Sequence, residues 1–466
     1  MIELTVEQIS NAVQGSVVGD RTVVITGSVE TDSRLVKPGS LFVAKPGEVT
    51  DGHNFAAKAQ ESGAVALLVE RVLDEVAIPQ ILVEDSVLAL GLLAKFVLAE
   101  IRKQTGVRVI GVTGSNGKTT TKNMLRQVLS EIGETIAPIE SYNNEVGAPY
   151  SILQTNLNTK FLVVELGAGG PGSIDYLAQI AKPDIGVVLK VGLAHVGEFG
   201  GIETTAQIKS ELVRALGEDA VVVLNADDGY VADMAVLTQA KKIWFGTSSD
   251  ADYQASDQQV SIDGTSFHLH WPDGVIAPVK LQILGEHHVM NALATLAVAD
   301  VLGVPRDKAI AALEAMPLAE RWRMQVFNRA DGVTIINDAY NASPDSVKAA
   351  LQTLAQLGKS GRRTIAILGE MAELGSASRE QHDAIGRIVV RLNISQLIVV
   401  GAAAKLIHMG AEQEGSWDGE SKFFESIDEA LAHVRGMLRA GDLVLVKSSK
   451  SANLRHLGDN LMEVSS

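Results

Sequence analysis

The sequence predicts an α/β protein of three domains, the second and third each built on a mostly parallel sheet. Three observations predict it. From Val107 onward, short and wholly apolar runs recur with helical segments between them. Runs apolar on both faces mark the strands of a parallel sheet covered by helices. The same rhythm starts again beyond Pro317, whereas residues 1–84 mix short β-type runs with turn signals. The expected division is 1–84, 85–317 and 318–466, within a length that suits several domains.

Within the first unit, Ser40–Ala44, Ala66–Val69 and Ile81–Val83 read as strands and Phe55–Ser62 as a helix. Val87–Lys103 reads as a long amphipathic helix leading into the second unit. There, Val107–Val112, Phe161–Val164, Ile185–Val191, Ala220–Leu224 and Lys242–Phe245 are the strand candidates. Residues 250–284 alternate in short pieces, as in Phe267-His268-Leu269-His270, and suggest a small antiparallel excursion before helix Val289–Leu302. In the third unit the strands are Val333–Ile336, Thr364–Leu368, Leu397–Val400 and Leu443–Val446, with helices near 345–357, 378–391 and 427–438.

Composition narrows the function classes. Lys plus Arg is 40 against 56 for Asp plus Glu, a formal charge of −16. Such a chain is a poor candidate for binding nucleic acid or anionic membrane, so an anionic substrate must be met by a local cationic or N–H site. The absence of cysteine removes disulfides, thiolate nucleophiles and Cys-ligated metals. The first ten residues lack the basic-then-apolar pattern of a signal peptide. The longest apolar stretch, Val87–Ile101, is too short to span a bilayer and contains Lys95. A soluble, cytoplasmic monomer is the expectation.

The chemistry concentrates after the first apolar strand of the second unit. Thr113-Gly114-Ser115-Asn116-Gly117 is a glycine-rich turn, and Lys118-Thr119 opens a helix. Glycines let backbone N–H groups converge on phosphate oxygens, the helix N-terminus adds positive potential, and the lysine meets the outer phosphates. Thr119 is placed to offer a hydroxyl to Mg²⁺. The usual phosphate-loop pattern has glycine where Val112 stands; the alternative reading is a plain glycine turn before a helix. Glu165 closes strand Phe161–Val164 and His195 follows the run ending at Leu193. Ligands of open parallel sheets sit beyond the carboxyl ends of strands. Both side chains therefore suit Mg²⁺ ligation there, or else they cap a strand and a loop.

These residues resemble the Mur ligase superfamily, in which the missing first glycine of Thr113–Thr120 is typical. Further segments match in order: Tyr142–Gly147, Val164–Gly167, Ala194–Gly200, Gly285–Leu293 and Asn337–Asn341. Asp32-Ser33-Arg34, Pro38–Phe42 and Asp51–Phe55 resemble the UDP-sugar-binding first domain of its later-acting members. His288 and Ser343 stand where asparagine is common, and Gly169-Gly170-Pro171-Gly172 departs from many relatives.

The resemblance implies a small α/β UDP-substrate domain, a central P-loop ATPase domain and a C-terminal Rossmann-like domain. It implies an ATP-dependent, ADP-forming ligase that joins an amine to a carboxylate through an acyl phosphate. Tyr142-Asn143-Asn144, Asp338–Asn341 and Leu368–Gly375 resemble the members that add D-alanyl-D-alanine to UDP-N-acetylmuramoyl-tripeptide. The Tyr-Ala-His and Asn-Pro-Arg motifs expected of the third-amino-acid-adding enzyme do not occur. Folylpolyglutamate synthase, another alternative, normally begins close to its phosphate loop. Outside the class, a nucleotide-switched interaction protein would not require the first-domain motifs.

By the same resemblance, Thr119 and Glu165 hold one Mg²⁺ and His195 the second. Asn291, Arg321 and Asp338 contact ATP, the last two reaching in from the third domain. Ser33, Arg34, Asp51, Gly52, His53, Asn143, Asn144, Tyr340 and Asn341 are the substrate-binding candidates. For Arg321 a surface arginine beside Trp322 is the alternative, and for Ser33 and Arg34 a β-turn. Lys209 lies in a segment reading as a helix through Leu216. Composition alone makes it a surface lysine; the resemblance makes it a carbamate-bearing ligand of the second metal.

Overall fold

A computed structural model describes residues 1–47, 50–138, 141–193, 196–316, 321–415 and 420–463, apart from the side chains of residues 196 and 198. It is an α/β protein with three large sheets.

The central sheet has nine strands. Across it run Ile276–Leu281, Gly264–His270, Tyr253–Ser261, Lys241–Gly246, Val221–Asn225, Ile185–Val188, Arg108–Thr113, Thr159–Glu165 and Glu134–Ile136. The first three pair antiparallel and the rest parallel. The antiparallel excursion expected at 250–284 is thus an extension of this sheet, joined through Phe245 opposite Tyr253. The strand expected over Ile185–Val191 stops at Val188. Beyond it the chain leaves the ladder to brace the glycine turn, with Ser115 N–H donating to the Lys190 carbonyl at 2.8 Å.

The third sheet runs Gln325–Asn328, Thr334–Asn337, Leu443–Lys447, Thr364–Leu368, Gln396–Val400 and Ser421–Phe424. All its pairings are parallel except that of the first strand. Edge strands Gln325–Asn328 and Ser421–Phe424 are short and half-exposed, so they lack the apolar run that revealed the buried ones. The first unit carries a five-stranded sheet, Ser16–Val18, Gln80–Leu82, Ala64–Val69, Ser40–Val43 and Val29–Glu30.

Helix Ser86–Thr105 ties the first unit to the second. Asp85 caps its start by accepting from Val87 and Leu88 N–H, and Gly106 ends it in the left-handed conformation. Its apolar residues Leu90, Leu93, Val97 and Ile101 share one core with Ile9 and Leu41 on one side and Val109 and Leu162 on the other. A second core joins Val289 and Leu293 of helix His287–Val301 to Val347 and Leu351 of the third unit. Among the described residues no helix is long and apolar enough to cross a membrane.

Candidate active site

Register explains why the chemistry converges. Strand Arg108–Thr113 lies between Ile185–Val188 and Thr159–Glu165, and Glu165 stands opposite Val112. The glycine turn and the Glu165 carboxylate therefore leave the same edge of the sheet side by side. Gly117 has φ 86°, and a Cβ there would collide with the Asn291 side chain, so glycine is what lets helix His287–Val301 lie against the loop. Helix Lys118–Leu129 starts without a side-chain cap, which leaves its first N–H groups available to an anion.

Lys118 folds back onto its own loop, Nζ donating to the Gly114 carbonyl at 2.7 Å. Burial lowers its pKa, Glu165 opposes that shift, and Arg323 adds to it. Thr119 Oγ1 lies 3.3 Å from Glu165 Oε1 and 2.8 Å from Ser141 Oγ. The amide of Asn143 donates to the same Glu165 oxygen at 3.0 Å. Glu165 is only 1% exposed, yet its second oxygen has no hydrogen-bond partner among the described residues.

The third unit closes over this loop. Ser343 Oγ donates to Asn116 Oδ1 at 3.2 Å, and Asp345 accepts from Leu193 N–H at 2.9 Å. The result is a cleft of about 320 Å³ between loop residues 115–120, helix residues His287, His288 and Asn291, and Arg323, Asp338, Tyr340, Asn341 and Lys447. Asp338 accepts from Lys447 Nζ at 2.6 Å and from Met324 N–H at 3.0 Å. Burial holds His288 well below the usual imidazole range, so that ring is neutral at pH 7. Three buried polar atoms of residues lining this cleft lack partners among the described residues: Asn116 Nδ2, Glu165 Oε2 and His288 Nε2. Buried groups are almost always satisfied; three orphans on residues that line one cavity fit a place where a polar ligand supplies missing bonds.

Several expected residues lie elsewhere. Arg321 does not line the cleft: its side chain is 64% exposed and pairs with Asp459 at 2.9 Å. Arg323, two residues on, is the guanidinium that lines it; its interactions include the Tyr340 ring at 4.2 Å and Ser141 Oγ at 3.4 Å. Lys447 and His287 were also missed, because their placement depends on strand pairing and helix packing remote in sequence. Lys209 is not a surface lysine. It lies in helix Ile202–Arg214 at 2% exposure, and burial, then the nearby Lys118 charge, bring its pKa to about 7. His195 lies outside the described residues.

In the first unit, Ser33, Arg34 and Gly52 line a pocket of about 660 Å³ together with Lys45 and Lys58. Asp51 and His53 do not line it. Asp51 caps the turn at 52–55 and pairs with Arg71 at 2.8 Å. The His53 ring is fully buried between Asp51 and the Glu70 N–H, from which its Nε2 accepts at 2.9 Å. A groove of about 420 Å³ shares Thr31, Asp32 and Lys45 with that pocket and Ser141 and Asn143 with the loop cleft. Asn144 and Tyr150 line this groove; Tyr150 Oη donates to Glu30 Oε2 at 3.1 Å across the two units. The three concavities are thus contiguous from Ser33 to Lys118.

A phosphate-binding loop on a parallel sheet, closed over by a second sheet that adds cationic side chains, defines an ATP-dependent enzyme of phosphoryl transfer. Three family models match the chain: "Mur ligase family, catalytic domain" over residues 26–96, "Mur ligase middle domain" over 112–299 and "Mur ligase, glutamate ligase domain" over 322–450. The UDP-N-acetylmuramoyl-tripeptide–D-alanyl-D-alanine ligase of Mycobacterium tuberculosis is 43% identical, covering 99% of this chain and 98% of that one. A crystal structure of MurF from Acinetobacter baumannii superposes with a TM-score of 0.89 at 31% identity, covering 99% of each chain. The MurF ligase of Thermotoga maritima in complex with ADP gives 0.82 at 28% identity, over 94% of this chain and 98% of that one. The chain belongs to the Mur ligase family, and is as such an ATP-dependent, amide-bond-forming ligase. Folylpolyglutamate synthase of Mycobacterium tuberculosis, at 16% identity and a TM-score of 0.60, shares the fold alone.

Proposed function

We propose that the protein joins D-alanyl-D-alanine to UDP-N-acetylmuramoyl-tripeptide with hydrolysis of ATP to ADP and phosphate, as a monomeric cytoplasmic enzyme of peptidoglycan precursor synthesis. The observation that carries this reading is end-to-end similarity to ligases of that name, together with three contiguous concavities within one chain. The boundaries 1–84, 85–317 and 318–466 belong to the same proposal; each span holds one large sheet.

In this reading the pocket at Ser33, Arg34 and Gly52 takes the uridine diphosphate end, the groove beside Asn143 and Asn144 takes the peptide arm, and the Lys118 cleft takes ATP. The tripeptide carboxylate attacks the γ-phosphorus; a P–O bond forms, the β–γ bridge breaks, and ADP leaves. The dipeptide amine then attacks the acyl carbon, phosphate departs, and the amine loses a proton. Phosphorylation is needed because a free carboxylate would have to expel oxide. Two polyanions meet in an acidic protein, so Lys118 and Arg323 offset the local charge. Asn291 and Asp338 flank the nucleotide, and Tyr340 and Asn341 form the third-unit wall.

Mg²⁺ fits the donors present. Glu165 keeps one buried oxygen without a partner and Thr119 offers its hydroxyl beside the other, and Mg²⁺ is usually held by one or two carboxylates plus phosphate oxygens. When bound, Mg²⁺ would neutralise charge on the phosphates. Lys209, with its pKa at about 7, has a substantial neutral fraction at pH 7, the form that adds CO₂ to give a carbamate. That carbamate would serve a second metal with His195.

A phosphate-release assay with ATP, UDP-N-acetylmuramoyl-tripeptide and D-alanyl-D-alanine tests the reading. Release is expected only with both co-substrates present. Brisk release with neither would identify a nucleotide-switched ATPase and overturn the proposal.

A further inference from the structure

Arg323 reaches the cleft through a backbone conformation that its neighbours disfavour. Trp322 and Met324, on either side of it, both have left-handed φ values, 65° and 47°. Non-glycine residues adopt that region rarely and keep it only where the surroundings over-determine it. The kink turns Arg323 over the Tyr340 ring while Arg321 faces outward. Without it, the segment would present neither guanidinium in the same way.

Two carboxylates hold the kink. At one end Asp338 accepts from Met324 N–H, and the Trp322 carbonyl accepts from Tyr340 N–H at 3.2 Å. At the other end Asp459, in helix Leu454–Met462, takes three side chains at once. The Trp322 indole N–H lies 3.0 Å from each of its oxygens, Arg321 Nη2 donates at 2.9 Å and Asn337 Nδ2 at 3.2 Å. The guanidinium groups of Arg321 and Arg455 lie 4.9 and 5.4 Å from the Trp322 ring centre, and His456 meets it edge-on. Helix Leu454–Met462 can come this close because residue 458 is glycine; a Cβ there would collide with the Asn337 amide.

We propose that Asp459 is a positioning residue for nucleotide binding, which acts through Trp322 to hold the kink that keeps Arg323 in the ATP cleft. Asp459 does not line that cleft, so its effect must pass through the Arg321–Met324 segment. The inference rests on the reading of the Lys118 cleft as the nucleotide site.

The test is calorimetric titration of ADP into the full-length protein and its variants, with melting temperatures measured alongside. Arg323→Ala is expected to weaken ADP binding by about tenfold or more, the usual loss for a hydrogen bond to a charged group. Asp459→Ala is expected to weaken it by about fivefold to tenfold, and the double variant to be no weaker than Arg323→Ala alone, since both changes remove one effect. Trp322→Phe, which keeps a ring but loses the indole N–H, is expected to weaken binding in the same direction with little change in melting. If Asp459→Ala does not fold, the Trp322→Phe and Arg323→Ala pair gives the same cycle. Unchanged ADP binding by Asp459→Ala or, in its absence, by Trp322→Phe, or losses that multiply in the double variant, would overturn the assignment. Failure of the unaltered protein to bind ADP would instead overturn the reading of the cleft.

Discussion

Replacing Lys118 by alanine separates what the lysine does for ATP from what it does for the fold. Its side chain is half-buried and its pKa is lowered, chiefly by desolvation. The folded chain therefore binds this proton more weakly than the unfolded chain. That cost is fully present below the folded pKa and disappears as pH rises through the unfolded value near 10.4. Alanine removes the cost and forfeits the charge-assisted bond to the Gly114 carbonyl, worth about 1.5–3 kcal/mol net, so the two effects oppose each other. Stability at pH 7 should thus change little. Catalysis should not. A unit charge about 4 Å from phosphate is worth roughly 4 kcal/mol at an effective dielectric of about 20. Loss of one preorganised group of this kind typically costs about 10²–10³ in turnover. The assay is phosphate release with both co-substrates, paired with a melting curve. Turnover within about threefold of the unaltered enzyme, or a melting point lower by more than about 5 °C, would refute the argument.

Glu165→Gln keeps shape but replaces the orphaned oxygen by a neutral amide; the Mg²⁺ concentration for half-maximal activity should rise at least about tenfold, and an unchanged Mg²⁺ dependence would rule Glu165 out as a ligand. Lys209→Ala should lose most activity and regain part of it with added short carboxylates. In the unaltered enzyme, a carbon-13 carbamate signal from labelled bicarbonate should grow as pH rises through about 7, because the neutral amine is the reactive form; full activity of the variant would end the carbamate hypothesis. His53→Ala empties a buried site and strands the Glu70 N–H, while Asp51 Oδ1 keeps its bond from the residue-53 backbone. Denaturant titration should show a loss of about 2–3 kcal/mol with ATP affinity unaltered; a stable variant would show that His53 is not the strut described.

Local chemistry was legible without a fold. The glycine turn between an apolar run and Lys118 specifies strand, loop and helix by short-range rules, and the structure has them in register. Glu165 could be placed because a carboxylate closing a buried strand of a parallel sheet points to the ligand edge. Side-chain direction and burial were not legible, because residues far apart decide them. The same Asp51-Gly52-His53 that matches a binding motif is spent partly on Arg71 and Glu70. Composition makes Lys209 a surface residue, yet a closed helix interface buries it and takes its pKa to about 7. Arg321 and Arg323 are equivalent in sequence, both arginines beside Trp322; two left-handed residues and a carboxylate on the last helix choose Arg323 for the cleft. Periodicity and turn chemistry are written in neighbouring residues, whereas the field and the aim of a charged side chain are sums over everything packed around it.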